Sequence, residues 1–291
     1  MNWYLSLVFV VGASVGSFLN VVIDRVPSGK DIISKRSFCD KCKKTLAWYD
    51  LIPIVSWLVL GGKCRYCREP LSPQYPIVEG ATALLFVFVA SRFFPFNAGN
   101  SALTLSHYLT LFYYLFSISV LVVIFMIDLK HQIIPNKISY FAIGVSLIYL
   151  LILGLLQTQV TRSLTAQIAP SLVSTQLQTI WFAKINTIVA AVIASAAFFA
   201  IVYLTKEKAL GGGDAKLALF IGLLVGWPLI LVAIFLSFIL GAIIGLNLIL
   251  LKLRKFGQRI AFGPFMCVAA IITLFWGEKL FFWYSLILGF K

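Results

Sequence analysis

Leu210-Gly211-Gly212-Gly213-Asp214-Ala215-Lys216-Leu217 sets one carboxylate at the mouth of an apolar run that continues to Leu251, with Trp227-Pro228 as its one turn signal. A bilayer crossing takes about 20 apolar residues, so a run of this length must hold two. The composition agrees, because 61% of the 291 residues are hydrophobic and only 12% are charged. Too little polar surface remains to cover a water-soluble globule. The chain therefore reads as an all-α polytopic membrane protein of about eight transmembrane helices. A turn at Trp227-Pro228 leaves the helix before it short of a hydrocarbon core of about 30 Å, so a half-span or a tilted, kinked pair is expected there.

Outward from this run, further spans are expected at residues 3–23, 76–94, 108–127, 138–156 and 185–204, with a last one from Ala261 that Glu278-Lys279 interrupts. Residues 1–23 lack the basic start of a cleavable signal and read as a retained first helix. Residues 157–180, rich in Ser, Thr and Gln, read as an external loop. The formal charge of +14 would suit nucleic acid, but basic residues gathered in loops are what membrane topology produces. The expected surroundings are lipid, with no nucleic acid. With the N-terminus outside, only Arg92, Arg162, Lys184, Lys279 and Lys291 of the 24 Lys and Arg fall outside. That asymmetry predicts a multi-pass inner-membrane protein whose cysteine cluster, Asp128 and Asp214 lie on the cytoplasmic side.

Residues 24–75 are the sizeable polar segment between the first two spans, and they hold four of the five cysteines. Cys39-x-x-Cys42 and Cys64-x-x-Cys67 have the spacing of a four-thiolate zinc site. A redox pair would call for a thioredoxin-like strand and helix, and disulfides for an oxidising compartment. Zinc with four thiolates has no open position, which makes it structural. Between the pairs, Trp48-Tyr49-Asp50-Leu51-Ile52-Pro53 and residues 54–60 form an apolar stretch too short to span; it packs on the zinc module or lies in the membrane interface.

Asp128 closes the span at 108–127 and precedes Ile134-Pro135-Asn136. Taken singly, Asp214 is a helix cap and Asp128 a flanking charge. As a pair at the membrane edge they point to chemistry, one carboxylate as base and one carboxylic acid as donor around a water. Without side chains, Gly211, Gly212 and Gly213 can take positive φ and let an extended substrate backbone approach Asp214 closely. Nothing rivals the pair: His107 and His131 stand near span ends, Cys267 reads as a small buried hydrophobe, and Glu79 reads as a headgroup-level residue. No phosphate-binding glycine motif is present.

Gly211-x-Gly213-Asp214-x-Lys216-Leu217 and Asp128 with Ile134-Pro135-Asn136 resemble the motifs of the bacterial type IV prepilin peptidases, membrane aspartic proteases of the Gly-x-Gly-Asp kind. Gly16-Ser17-Phe18-Leu19-Asn20, Tyr75-Pro76-x-Val78-Glu79, Phe262-Gly263-Pro264-Phe265 and the two cysteine pairs around Trp48-Tyr49-Asp50 extend the likeness over nearly the whole chain. The resemblance implies removal of the basic leader from prepilins or pseudopilins by Asp128 and Asp214, in the service of type IV pili or type II secretion. It also implies N-methylation of the new N-terminus with S-adenosylmethionine, for which no motif marks the binding residues. The implied division is a first transmembrane helix (1–23), a cytoplasmic zinc-binding and methyltransferase domain (24–75), and a transmembrane protease domain (76–291). Two other classes compete. A proton-coupled transporter would use Asp128 and Asp214 but usually at mid-membrane, and a non-enzymatic assembly factor would need the cysteines without the carboxylates.

Overall fold

The computed structural model describes residues 3–31, 37–39, 41–93, 105–168, 170–206, 210–253 and 260–287. The described residues form helices α1 (Trp3–Arg25), α2 (Val55–Val59), α3 (Gln74–Phe93), α4 (Leu105–His131), α5 (Asn136–Ile168), α6 (Pro170–Thr205), α7 (Gly212–Val225), α8 (Leu229–Leu250) and α9 (Gly263–Ile287), with no strands beyond two isolated bridges. Seven of them are long and apolar enough to cross a membrane, all but α2 and α7. The chain divides into two compact units, Met1–Ile127 and Asp128–Lys291.

In the first unit α1 lies against α3. A Cβ at Gly12 would fall 2.8 Å from Ala83 Cα, and one at Gly16 would fall 2.7 Å from Glu79 Cα, so the two backbones touch where side chains are absent. Small residues do this in membranes, where apolar burial alone gives helices no reason to associate. A polar clamp locks the register. The buried Asn20 amide donates to Gly16 O at 3.3 Å and to Tyr75 O at 3.2 Å, and Gln74 Nε2 donates to Asn20 Oδ1 at 3.1 Å. Glu79 is buried and accepts the Ile54 N–H at 2.7 Å. A carboxylate can be buried when a donor meets it.

In the second unit α7 is the innermost element. Ala215, Leu217, Ala218, Phe220, Ile221, Leu223 and Leu224 are all buried, and these positions cover several faces of the helix. Apolar residues all round a helix mean neighbours all round it. Gly222 permits one close neighbour, since a Cβ there would lie 2.6 Å from Ala191 Cα of α6. Ser195 of the same helix donates to Ala215 O at 2.8 Å.

The chain turns after Val225 through Gly226, whose φ of 72° favours glycine, and α8 begins beyond Pro228. With 14 residues α7 is about 21 Å long, short of the ~30 Å core. The eight expected helices are thus seven of full length and the half-span anticipated before Trp227.

Two expectations need correction. Residues 157–180 are not a loop: α5 continues to Ile168 and α6 starts at Pro170. The stretch has no glycine, and its Gln, Leu and Ala residues suit a helix, while Pro170 occupies a first helical position where its missing N–H costs nothing. Helix α9 also runs unbroken through Glu278 and Lys279. The basic cluster Arg254, Lys255 and Arg259, with Glu207 and Lys208, lies outside the described residues.

Candidate active site and metal centre

Asp128 sits in the last turn of α4 and Asp214 in the first turn of α7, and both are buried, at 5% and 7% exposure. Neither is a solvated flanking charge. Asp214 does cap its own helix. The Gly211 N–H donates to Asp214 Oδ2 at 2.9 Å and the Asp214 N–H donates to Gly211 O at 3.0 Å. This uses one carboxylate oxygen, so a capping role and a chemical one are compatible. Asp128 and Gly213, the residue before Asp214, both neighbour Ile134.

What brings them together is Ile134. Its side chain wedges against Gly213, where a Cβ would fall 2.8 Å from Ile134 Cβ, and against Gly263, where a Cβ would fall 3.2 Å from Ile134 Cδ1. Gly263 also backs Asp128 directly, because a Cβ there would lie 2.5 Å from Asp128 Oδ2. The starts of α7 and α9 and the turn after α4 thus meet around one aliphatic side chain.

Of the three glycines at the start of α7, none has a positive φ. Gly211 is extended and caps the helix, while Gly212 and Gly213 are helical. Gly213 is required by Ile134, whereas beside Gly212 there is open space within 4 Å. Lys216 turns to α5, donating to Asn136 Oδ1 at 2.6 Å with its ammonium 5.1 Å from the Tyr140 ring centroid. Cys267 is buried, as expected. Nothing in the sequence around Ile134 or Gly263 marks a role for either residue. Their signal is tertiary.

The four cysteines converge through two copies of one local design. Cys39 N–H donates to Lys44 O at 3.0 Å and Lys43 N–H to Cys39 O at 2.8 Å; Cys64 N–H donates to Glu69 O at 2.8 Å and Arg68 N–H to Cys64 O at 3.0 Å. Lys43 and Arg68 both take a left-handed φ, 56° and 60°, and a β-bridge closes each turn, Phe38 with Thr45 and Lys63 with Pro70. All four sulfurs lie within 4.8 Å of one another, a cluster that could hold a metal ion. Tetrahedral zinc with Zn–S bonds of about 2.3 Å implies sulfur separations of about 3.8 Å, and Cys39 Sγ and Cys67 Sγ are 3.8 Å apart.

The Cys42 backbone N–H, acting against burial, draws the Cys39 thiol down to about 7. The Glu69 backbone N–H lowers Cys67, but burial and hydrogen bonds with the other three sulfurs outweigh it and push that thiol up to about 11. Around the cluster, Lys41 pairs with Glu69, and Arg65 Nε donates to Asp50 Oδ1 at 2.6 Å. Tyr66 OH and the Ala47 N–H donate to Asp50 Oδ2 at 3.2 and 3.3 Å.

Residues 10–93 match the bacterial peptidase A24 N-terminal domain, and residues 115–246 match the type IV leader peptidase family. A prepilin leader peptidase/N-methyltransferase of Aeromonas hydrophila is 30% identical, over 97% of this chain and 93% of its own length. The chain belongs to the type IV leader peptidase family. Another member of that name, from Pseudomonas aeruginosa, is 30% identical over 97% of this chain and 93% of itself. One from Myxococcus xanthus is 44% identical over 45% of this chain and 36% of its own length. No solved structure matches. As a prepilin peptidase family member with seven helices, among the described residues, long and apolar enough to cross a membrane, the protein is a multi-pass membrane protein. The N-terminal family domain covers the cysteine cluster, and the leader peptidase domain covers Asp128, Ile134 and Asp214.

Proposed function

We propose that the chain is a membrane aspartic endopeptidase that removes the basic leader of prepilins or pseudopilins at the cytoplasmic face, with Asp128 and Asp214 as its catalytic residues. The observation that carries this reading is two buried carboxylates beside one wedge, Ile134, in a chain whose relatives are named prepilin leader peptidases. One carboxylate takes a proton from a water as the water oxygen adds to the scissile carbonyl, and the other, protonated, gives its proton to the carbonyl oxygen. Collapse of the tetrahedral adduct breaks the C–N bond, and the departing nitrogen takes up a proton. The open space beside Gly212 would admit the extended substrate backbone. The surplus of basic residues in loops on one side supports the cytoplasmic placement. Replacing each Asp singly and assaying leader cleavage by mass spectrometry tests the reading; normal cleavage by either variant would end it.

In the same proposal Cys39, Cys42, Cys64 and Cys67 hold a structural zinc that organises residues 24–75. Methylation of the new N-terminus would follow, with S-adenosylmethionine, when bound, supplying the methyl group. Support for methylation comes from the relatives' names. The donor's ribose hydroxyls suit a carboxylate, but Asp50, Glu69 and Glu79 are already engaged, by Arg65, Lys41 and the Ile54 N–H. No residue is therefore given to that cofactor.

A further inference from the structure

The apolar stretch between the cysteine pairs stays largely uncovered in the structure. Trp48 is 76% exposed, Val55 53%, Leu58 63% and Val59 76%. Helix α2, Val55-Ser56-Trp57-Leu58-Val59, carries no charge. In water this patch would be a liability.

Its height relative to the bilayer follows from one hydrogen bond. Ile54, the residue before α2, donates its N–H to Glu79 at 2.7 Å, and its Cδ1 reaches within 3.9 Å of where a Cβ on Gly80 would stand. Glu79 is five residues into α3, about 8 Å along the axis from Gln74. Helix α3 has 20 residues, about 30 Å, which is the thickness of the hydrocarbon core with nothing to spare. With α3 taken as spanning that core from Gln74, the level of Glu79 is inside the bilayer boundary, and α2 starts there. Ile54 adopts φ 62°, unfavourable for a β-branched residue, and the bond to Glu79 holds it in that turn. The segment around the patch is basic, with Lys41, Lys43, Lys44, Lys63, Arg65 and Arg68 against Asp40, Asp50 and Glu69. That balance complements anionic headgroups.

We propose that α2 is an interfacial foot: Leu58 and Val59 insert among the acyl chains of the leaflet in which α3 begins, with Glu79 as the latch, and so seat the cysteine module on the bilayer. The inference rests on α1 and α3 as membrane spans and is independent of the peptidase reading. The test places a photoreactive diazirine analogue of leucine at position 58, 59 or, as a control on the charged surface, 41. The full-length protein is then illuminated in vesicles of phosphatidylcholine and phosphatidylglycerol and its adducts are identified by mass spectrometry. Positions 58 and 59 should yield lipid adducts several-fold above position 41. Glu79→Leu should reduce the yield at 59 while metal content stays as in the parent chain. Adducts at 58 and 59 that are peptide only, whether to a second copy, to another part of the chain or to an added prepilin peptide, would overturn the proposal. So would a lipid yield no higher than at 41. If Glu79→Leu does not fold, the probes in the otherwise unchanged chain still decide. Lipid adducts support the foot whether or not the preparation cleaves a prepilin.

Discussion

In the cysteine module each half of the ligand set comes from one tight turn, and the two turns repeat the same backbone bonds at Cys39–Lys44 and Cys64–Glu69. The carboxylate site gathers Asp128, Ile134, Gly213, Asp214 and Gly263 from three places far apart in the chain, and only Asp214 has its geometry set within its own turn. The difference is one of how precision is obtained. A metal cluster needs four sulfurs at tetrahedral separations, which two local hairpins can supply and the ion itself then enforces. A pair of buried carboxylates has no such centre, so packing must hold it, and here that means side chains left out at Gly213 and Gly263 to seat Ile134.

The two regions should therefore fail in different ways. The largest effect is expected at the metal. A structural zinc contributes about 10–16 kcal/mol of apparent binding energy in zinc-finger peptides, so Cys39→Ser combined with Cys64→Ser should empty the site and expose residues 37–71 to proteolysis. Metal analysis and limited proteolysis check this; a parent protein purified without chelators that holds no zinc would remove the basis of the comparison. Next come Asp128→Asn and Asp214→Asn. Each should lower leader cleavage by ~10²–10⁴-fold, the usual contribution of a general acid or base, while metal content stays at the parent level.

Gly263→Ala sharpens the contrast, because it changes no ionisable group yet drives a methyl into Asp128 and Ile134. A displacement of about 1 Å in a reacting group can cost ~10²-fold, so cleavage should drop by roughly that factor, whereas Gly144→Ala on α5, which meets open space and has no part in the proposed site, should stay near the parent rate. Equal losses for the two would show that the wedge does not position Asp128.

The smallest effect is expected from Asp50→Asn. Burial raises the Asp50 carboxyl, but Arg65, the Ala47 N–H and Tyr66 outweigh it and hold it below the usual carboxylate range. Its contribution to the module is then present above the ordinary carboxylate value and lost as pH falls through the lower folded one. The gap between parent and variant in proteolytic protection should be widest at neutral pH and close in acid; a gap that widens in acid would reverse the assignment.

Composition and periodicity alone determined the all-helical membrane architecture, because a backbone in lipid must satisfy its own hydrogen bonds and long apolar runs leave no other choice. They also placed the short helix before Trp227, since Pro228 cannot continue a helix and a span has a minimum length. The cysteine cluster was legible for a related reason: its ligands are spaced within single turns. Asp128 and Asp214 could be suspected from their cost at a membrane edge, yet their convergence on Ile134 could not be read, nor the need for Gly263. Neither could the burial of Glu79 under Ile54, or the use of Asn20 as a clamp between α1 and α3. Those facts depend on which helix faces meet. Spacing along a chain carries little information about contacts between residues a hundred positions apart, and a glycine looks the same in sequence whether it faces open space, as Gly212 does, or the oxygen of Asp128, as Gly263 does.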